Sequence, residues 1–183
     1  MSNKEKVYSW IDKNQEEVIE LLQKLVREPS VNPYFDEDKQ YMHEGQAQAA
    51  LKQYLEEMGM ETEYSYPDAK ELAEYEGKPG YYADHTFEER PNLFAKLKGT
   101  GGGKSMMMSG HIDVVQRGSK WTKDPFGGEH IGNRIYGRGT VDMKGGIAAM
   151  TVALKAIQKS GFLLKGDAMI GTVVDEEAGG MGT

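Results

Sequence analysis

Apolar residues near the N-terminus recur at helical spacing. Val7, Ile11, Val18, Leu22 and Leu25 fall on one stripe with charged residues opposite, which predicts a helix over 7–26. Pro29 and Pro33 stop it, and Ser30-Val31-Asn32-Pro33 reads as a turn. A second stripe of Ala47, Ala50, Leu51, Tyr54, Leu55 and Met58 predicts a helix over 44–58, with Gly59 as its C-terminal cap. Residues 60–66 alternate and suit a strand. Residues 67–90 show no period and hold Pro67, Gly77, Pro79 and Gly80 among aromatics and acids. They read as a long, solvated excursion able to shape a pocket rim.

Beyond residue 90, strands are expected over 92–98 and 104–109, with Gly99 to Gly103 as a hairpin turn between them. The Met106-Met107-Met108 run reads as strand core. A short strand follows at 134–136 and a third helix at 143–159, whose Ile147, Met150, Leu154 and Ile157 face inward. Ala168 to Val174 is an apolar, β-branched run that fits a strand buried on both faces of a mostly parallel sheet. Alternating helices and strands predict an α/β layer fold.

Composition removes several function classes. The 183 residues carry 22 Lys+Arg against 29 Asp+Glu, a formal net charge of −7. That balance argues against a nucleic-acid partner and against an acidic membrane surface, and no apolar run approaches the length of a membrane span. With no cysteine, disulfides, thiolate metal sites and a cysteine nucleophile are excluded, so a bound metal must take His, Asp or Glu. Zero cysteines also fit a reducing, cytoplasmic location. Gly99 to Ser105 lacks the first glycine of a phosphate loop and leads into a strand. His43-Glu44 lacks the second histidine of a zinc-protease helix, since position 47 is Ala. His85 and His130 have no ligand-type partner at a telling spacing and read as solvated loop residues.

The chemistry concentrates in three clusters, each at or after a strand end, where α/β sheets place their sites. In the first, Ser109-Gly110-His111-Ile112-Asp113, strand alternation points His111 and Asp113 the same way. A carboxylate beside an imidazole can fix its tautomer for metal binding, although a plain polar pair at a strand end fits equally. In the second, Tyr136-Gly137-Arg138-Gly139-Thr140-Val141-Asp142-Met143-Lys144-Gly145-Gly146, Asp142 could be an ordinary helix N-cap. A cap alone does not call for four glycines, which suggest close backbone approach. The third, Asp175-Glu176-Glu177 at the end of the apolar strand, is either a solvated acidic turn or a place where a cation relieves repulsion. One His with several carboxylates suits a metal centre of zinc or manganese type.

These three clusters, in this order, resemble the motifs of the M20 metallopeptidase/amidohydrolase family. That family includes acetylornithine deacetylase, succinyl-diaminopimelate desuccinylase and carboxypeptidase G2. Arg90-Pro91-Asn92-Leu93 and the loop ending Asp124-Pro125-Phe126 are similar to family segments as well. The resemblance implies an α/β, zinc-exopeptidase-like (phosphorylase/hydrolase-like) fold with a mixed, mostly parallel sheet flanked by helices. It also implies a site with two zinc ions, or cobalt or manganese in their place. His111 and Glu177 would each bind one metal, and Asp142 would bridge both. Asp113 would orient His111, and Glu176 would act as general base. The bond after the bridging Asp, here Asp142-Met143, is often cis in the family. The implied reaction is hydrolysis of an N-acyl amino acid, with a dipeptidase or carboxypeptidase action on short peptides as the alternative. The family's lid or dimerisation domain and two further ligands have no counterpart in 1–183. The chain is therefore expected to be the N-terminal part of the catalytic domain of a longer, homodimeric protein, and inactive or merely metal-binding by itself.

Overall fold

The structure is a computed structural model and describes residues 1–35 and 38–183. The expected first helix is two helices, α1 (Asn3–Lys13) and α2 (Gln15–Val26). Asn14 breaks the run because its side-chain amide donates back to Trp10 O at 2.6 Å, the competition with the backbone that makes Asn a poor interior helix residue. The chain enters α1 earlier than the apolar stripe suggests. Ser2 and Glu5 form a reciprocal capping box that satisfies two orphan donors. Helix α3 (Glu44–Glu57) follows the expected stripe, burying Ala47, Leu51 and Leu55.

Strands β1 (Glu61–Ser65), β2 (Asn92–Leu97) and β3 (Met106–His111) come next. The excursion between β1 and β2 contains a short helix α4 (Ala69–Leu72). A small hairpin of β4 (Glu129–Ile131) and β5 (Arg134–Tyr136) stands apart as a second sheet. Helix α5 (Lys144–Lys159) then leads to β6 (Ala168–Val173). The main sheet has the order β1-β2-β6-β3.

That order corrects two expectations. The Gly99 to Gly103 segment is not a hairpin turn, because β6 inserts between β2 and β3. Instead it docks on the 164–167 loop, with Thr100 N donating to Leu164 O and Gly101 N to Lys165 O, both at 2.8 Å. The sheet is mixed, as the implied fold has it, but its parallel share is smaller than expected. Only β3 and β6 run parallel, joined by α5 as the crossover, while β1–β2 and β2–β6 are antiparallel. The expectation for β6 holds only for one face: Ala168, Ile170 and Thr172 are buried, whereas Met169 and Val173 on the other face are half-buried.

Helices α3 and α5 pack on one face of the sheet, and α2 packs on both helices. Leu25, Leu51, Leu55, Leu93, Ile112, Ile147 and Ile170 form the core between them. On the opposite face Phe94 and Met107 are exposed. The Met106-Met107-Met108 run is therefore not core as a whole. Met106 and Met107 are exposed, and only Met108 packs against the core.

Candidate metal centre

The parallel pairing of β3 with β6 builds the site. Its register sets His111 opposite Val173, so the two strands end side by side. Ile112 N donates to Val173 O at 2.9 Å and holds the ends together. The chain after β6 then turns, with Asp175 at φ 66°, and brings its amides onto Asp113. Glu176 N donates to Asp113 Oδ1 at 3.2 Å and Glu177 N to Asp113 Oδ2 at 3.0 Å. The first and third clusters are thus one unit.

The 30–32 segment adds a third strand of contact. Val31 bridges Val114 in parallel, and Asn32 N donates to Val114 O at 3.0 Å. Asn32 Nδ2 donates to Asp113 Oδ2 and to Asp175 Oδ1, both at 3.0 Å. Asp113 is fully buried. Burial works to raise its carboxyl, but the hydrogen bonds from His111, Asn32 and Glu177 N win and hold it below the usual carboxylate range. It faces His111 from behind, with His111 Nδ1 3.0 Å from Asp113 O and 3.5 Å from Oδ1. A Nδ1 proton shared with these acceptors leaves Nε2 on the open side.

The second cluster arrives through the loop after β5. Gly139, at φ 83°, lies where a Cβ would meet Val114 Cγ1 at 2.6 Å. At Gly145 a Cβ would meet Thr140 O at 2.3 Å. These two glycines let the loop close tightly on the first turn of α5. Lys144 anchors that turn, its buried Nζ donating to Leu25 O and Glu28 O at 2.8 Å each, at the end of α2. Burial lowers the Lys144 ammonium to about 7. Asp142 is not the helix cap. The N-cap position of α5 is Met143, which makes no side-chain cap bond. The Asp142 carboxylate is instead 75% exposed, with Oδ1 3.1 Å from His111 Nε2. The Asp142-Met143 bond is cis.

His111, Asp142 and Glu177 consequently converge. One ligand atom from each lies within 4.8 Å of the others. Burial alone would lower the His111 imidazole, but Asp113 and Asp142 push it up to about 9. Burial raises the Glu177 carboxyl, and the neighbouring Asp142, Asp113 and Glu176 charges add to that. Imidazole nitrogen and carboxylate oxygens without sulfur suit a hard-to-borderline divalent ion, and such an ion relieves the crowding of acids. The donor set therefore fits the metal that the sequence suggests. Glu176 stands at the margin, half exposed, with Oε2 3.7 Å from His111 Nε2.

The sequence reading missed the support behind this trio. Asp175 is not a solvated acid but fully buried. It takes Arg90 Nη2 at 2.9 Å and His85 Nδ1 at 2.8 Å. His85 is accordingly not a solvated loop residue. Its side chain is 5% exposed and stacks on Tyr82 with ring centroids 4.9 Å apart. Arg90 also pairs with buried Glu44 on α3. An arginine just before a proline at a strand entry was visible in the sequence; its carboxylate partners, 46 and 85 positions away, were not. His130 is exposed, as expected, and His43 stands at the start of α3.

Residues 107–183 match the family model "Peptidase family M20/M25/M40". An N-formyl-4-amino-5-aminomethyl-2-methylpyrimidine deformylase from Halalkalibacterium halodurans is 32% identical over 98% of this chain and 37% of its own length. A succinyl-diaminopimelate desuccinylase from Methylocella silvestris is 34% identical over 87% of this chain and 35% of its own. The chain spans about a third of the length of these curated relatives. Human carnosine dipeptidase 1 shares the fold, with a TM-score of 0.75 at 22% identity over 95% of this chain and 35% of that one. The di-peptidase Dug1p from Saccharomyces cerevisiae does so with a TM-score of 0.74 at 18% identity, over 97% of this chain and 36% of that one. With its three motif clusters folded into one site, the chain belongs to the M20 peptidase family.

Proposed function

We propose that this chain carries half of a metal-dependent hydrolytic site that cleaves a linear amide of a small N-acyl amino acid. The observation that carries the reading is the convergence of His111, Asp142 and Glu177 within 4.8 Å, backed by Asp113 behind the imidazole. His111 and Glu177 would hold one ion each and Asp142 would lie between two. Zinc fits the donor set, with cobalt or manganese as substitutes.

A divalent ion bound there supplies Lewis acidity toward the scissile carbonyl and a lowered water pKa. The chain's own residues do the rest. Asp113 fixes the His111 ring. Asn32 and the amides of Glu176 and Glu177 fix Asp113. Glu176, half exposed beside His111 Nε2, is free to take a proton from the attacking water and return it to the leaving amine. Deacylation is favoured over cleavage of short peptides because relatives above 30% identity are named deformylase and desuccinylase. A cytoplasmic, homodimeric protein completes the reading, resting on the cysteine-free composition and on the family resemblance.

The test is Glu176→Gln in the protein that carries this chain, assayed for amine release from N-acetyl and N-succinyl amino acids with zinc or cobalt. The expected result is a loss of turnover of at least a hundredfold with metal content unchanged. Full activity in the variant would contradict the assignment.

A further inference from the structure

The turn that carries Glu176 and Glu177 belongs to no strand or helix. Strand β6 ends at Val173, and the amides of Glu176 and Glu177 reach Asp113 through the left-handed φ of 66° at Asp175. A non-glycine residue keeps such a conformation where its surroundings over-determine it. At Asp175 the side chain meets that need. Oδ1 accepts from Asn32 Nδ2 at 3.0 Å and from Arg90 Nη2 at 2.9 Å, and Oδ2 lies 2.8 Å from His85 Nδ1. Two of these three donors come from the 67–90 excursion, which holds none of the three motif clusters. The excursion also lies along the rest of the turn. Tyr82 N donates to Met181 Sδ at 2.9 Å, and a Cβ on Gly179 would meet Tyr82 Cε2 at 2.6 Å.

The three donors are not equivalent. Arg90 is shared, since Glu44 takes its Nε and Nη2 and Thr86 O takes Nη1. Asn32 is shared with Asp113. Among the described residues the His85 ring hydrogen-bonds to Asp175 alone. An ionised carboxylate only accepts, so the proton between them sits on Nδ1. Nε2 is buried without a partner. The polar contribution of His85 is therefore one hydrogen bond to a buried charge, the strong kind. Its other contribution is ring contact with Tyr34 and Tyr82, at centroid distances of 5.0 and 4.9 Å.

We propose that His85 is a positioning residue whose Nδ1–H holds the Asp175 carboxylate and thereby fixes the turn that presents Glu176 and Glu177. The proposal rests on the hydrolase reading for what the turn serves, but the fixing of the turn is measurable without metal.

Two substitutions separate the hydrogen bond from the ring contact. His85→Phe keeps a ring and loses the donor, and Nε2 has no partner to lose. His85→Asn keeps a donor near the place of Nδ1 and loses the ring. Hydrogen exchange of the metal-free full chain, read by mass spectrometry on peptides from β6 and from 175–183, measures the turn. In His85→Phe the 175–183 amides should exchange about tenfold faster or more, with β6 unchanged. His85→Asn should stay close to the parent. Zinc affinity should follow the same order, falling about tenfold in His85→Phe and little in His85→Asn. Unchanged exchange over 175–183 in His85→Phe, acceleration spread evenly into β6, or a larger effect in His85→Asn would overturn the proposal. So would zinc affinity unchanged in His85→Phe while its turn exchanges faster. No zinc binding by any of the three chains, with the exchange pattern as expected, would count against the metal reading and leave the hold of His85 on the turn standing.

Discussion

Replacing Asp113 with Asn removes a charge and keeps the shape. The carboxylate is fully buried. Its Oδ1 faces Glu176 N at 3.2 Å and His111 Nδ1 at 3.5 Å. Its Oδ2 faces Asn32 Nδ2 and Glu177 N at 3.0 Å each. Whichever way the new amide turns, its NH2 group points at two donors, and two hydrogen bonds are lost. A hydrogen bond to a charged group contributes about 1.5–3 kcal/mol, so the loss of two is about 3–6 kcal/mol. That is a large share of the roughly 5–15 kcal/mol that holds a domain together. Urea unfolding followed by circular dichroism measures it directly. A second readout separates function from folding: zinc or cobalt affinity should fall about 10- to 100-fold, the usual effect of losing the group behind a ligating histidine. A variant within about 0.5 kcal/mol of the parent, with unchanged metal affinity, would refute the role given to Asp113.

Other consequences are equally concrete. Lys144→Met strips the donors from Leu25 O and Glu28 O and should cost about 2–4 kcal/mol in urea unfolding; a neutral result would contradict the anchoring role. Gly145→Ala should destabilise despite alanine's helix preference, because its Cβ would lie 2.3 Å from Thr140 O; a rise in Tm would contradict the close approach. Glu17 takes a hydrogen bond from Lys155 Nζ at 2.6 Å and from Tyr54 OH at 2.7 Å. Burial opposes its charge, yet these bonds hold its carboxyl below 4.5. Its contribution is therefore present above the unfolded value and is lost as pH falls through the folded one. Between pH 6 and pH 3, the parent's Tm should drop more steeply than that of Glu17→Gln, and parallel curves would count against the pairing.

What the sequence made legible was local. The stripes of α3 and α5 repeat within a few turns, and the apolar run of β6 declares a central strand by its composition. The trio was legible by residue type and by the order of its motifs. Pairing between distant segments was not. Nothing near Gly99 to Gly103 shows that a strand 70 positions later takes the place beside β2. Likewise His85, Asp175, Glu44 and Arg90 each look like ordinary surface residues alone. Their burial follows only once α3, the excursion and the end of β6 meet, and each charge then has a partner. The Met106-Met107 pair misled because an apolar residue type does not say which face of a sheet is covered.

The central claim is that His111, Asp142 and Glu177 are the ligands of one metal centre. Calorimetric titration of the chain with zinc, beside Asp142→Ala and Glu177→Ala, tests it most directly. Asp142 is 75% exposed and caps no helix, so its removal should leave the fold and Tm intact. The account predicts saturable zinc binding in the parent and none in Asp142→Ala at the same concentrations. Zinc affinity unchanged in both variants would contradict it.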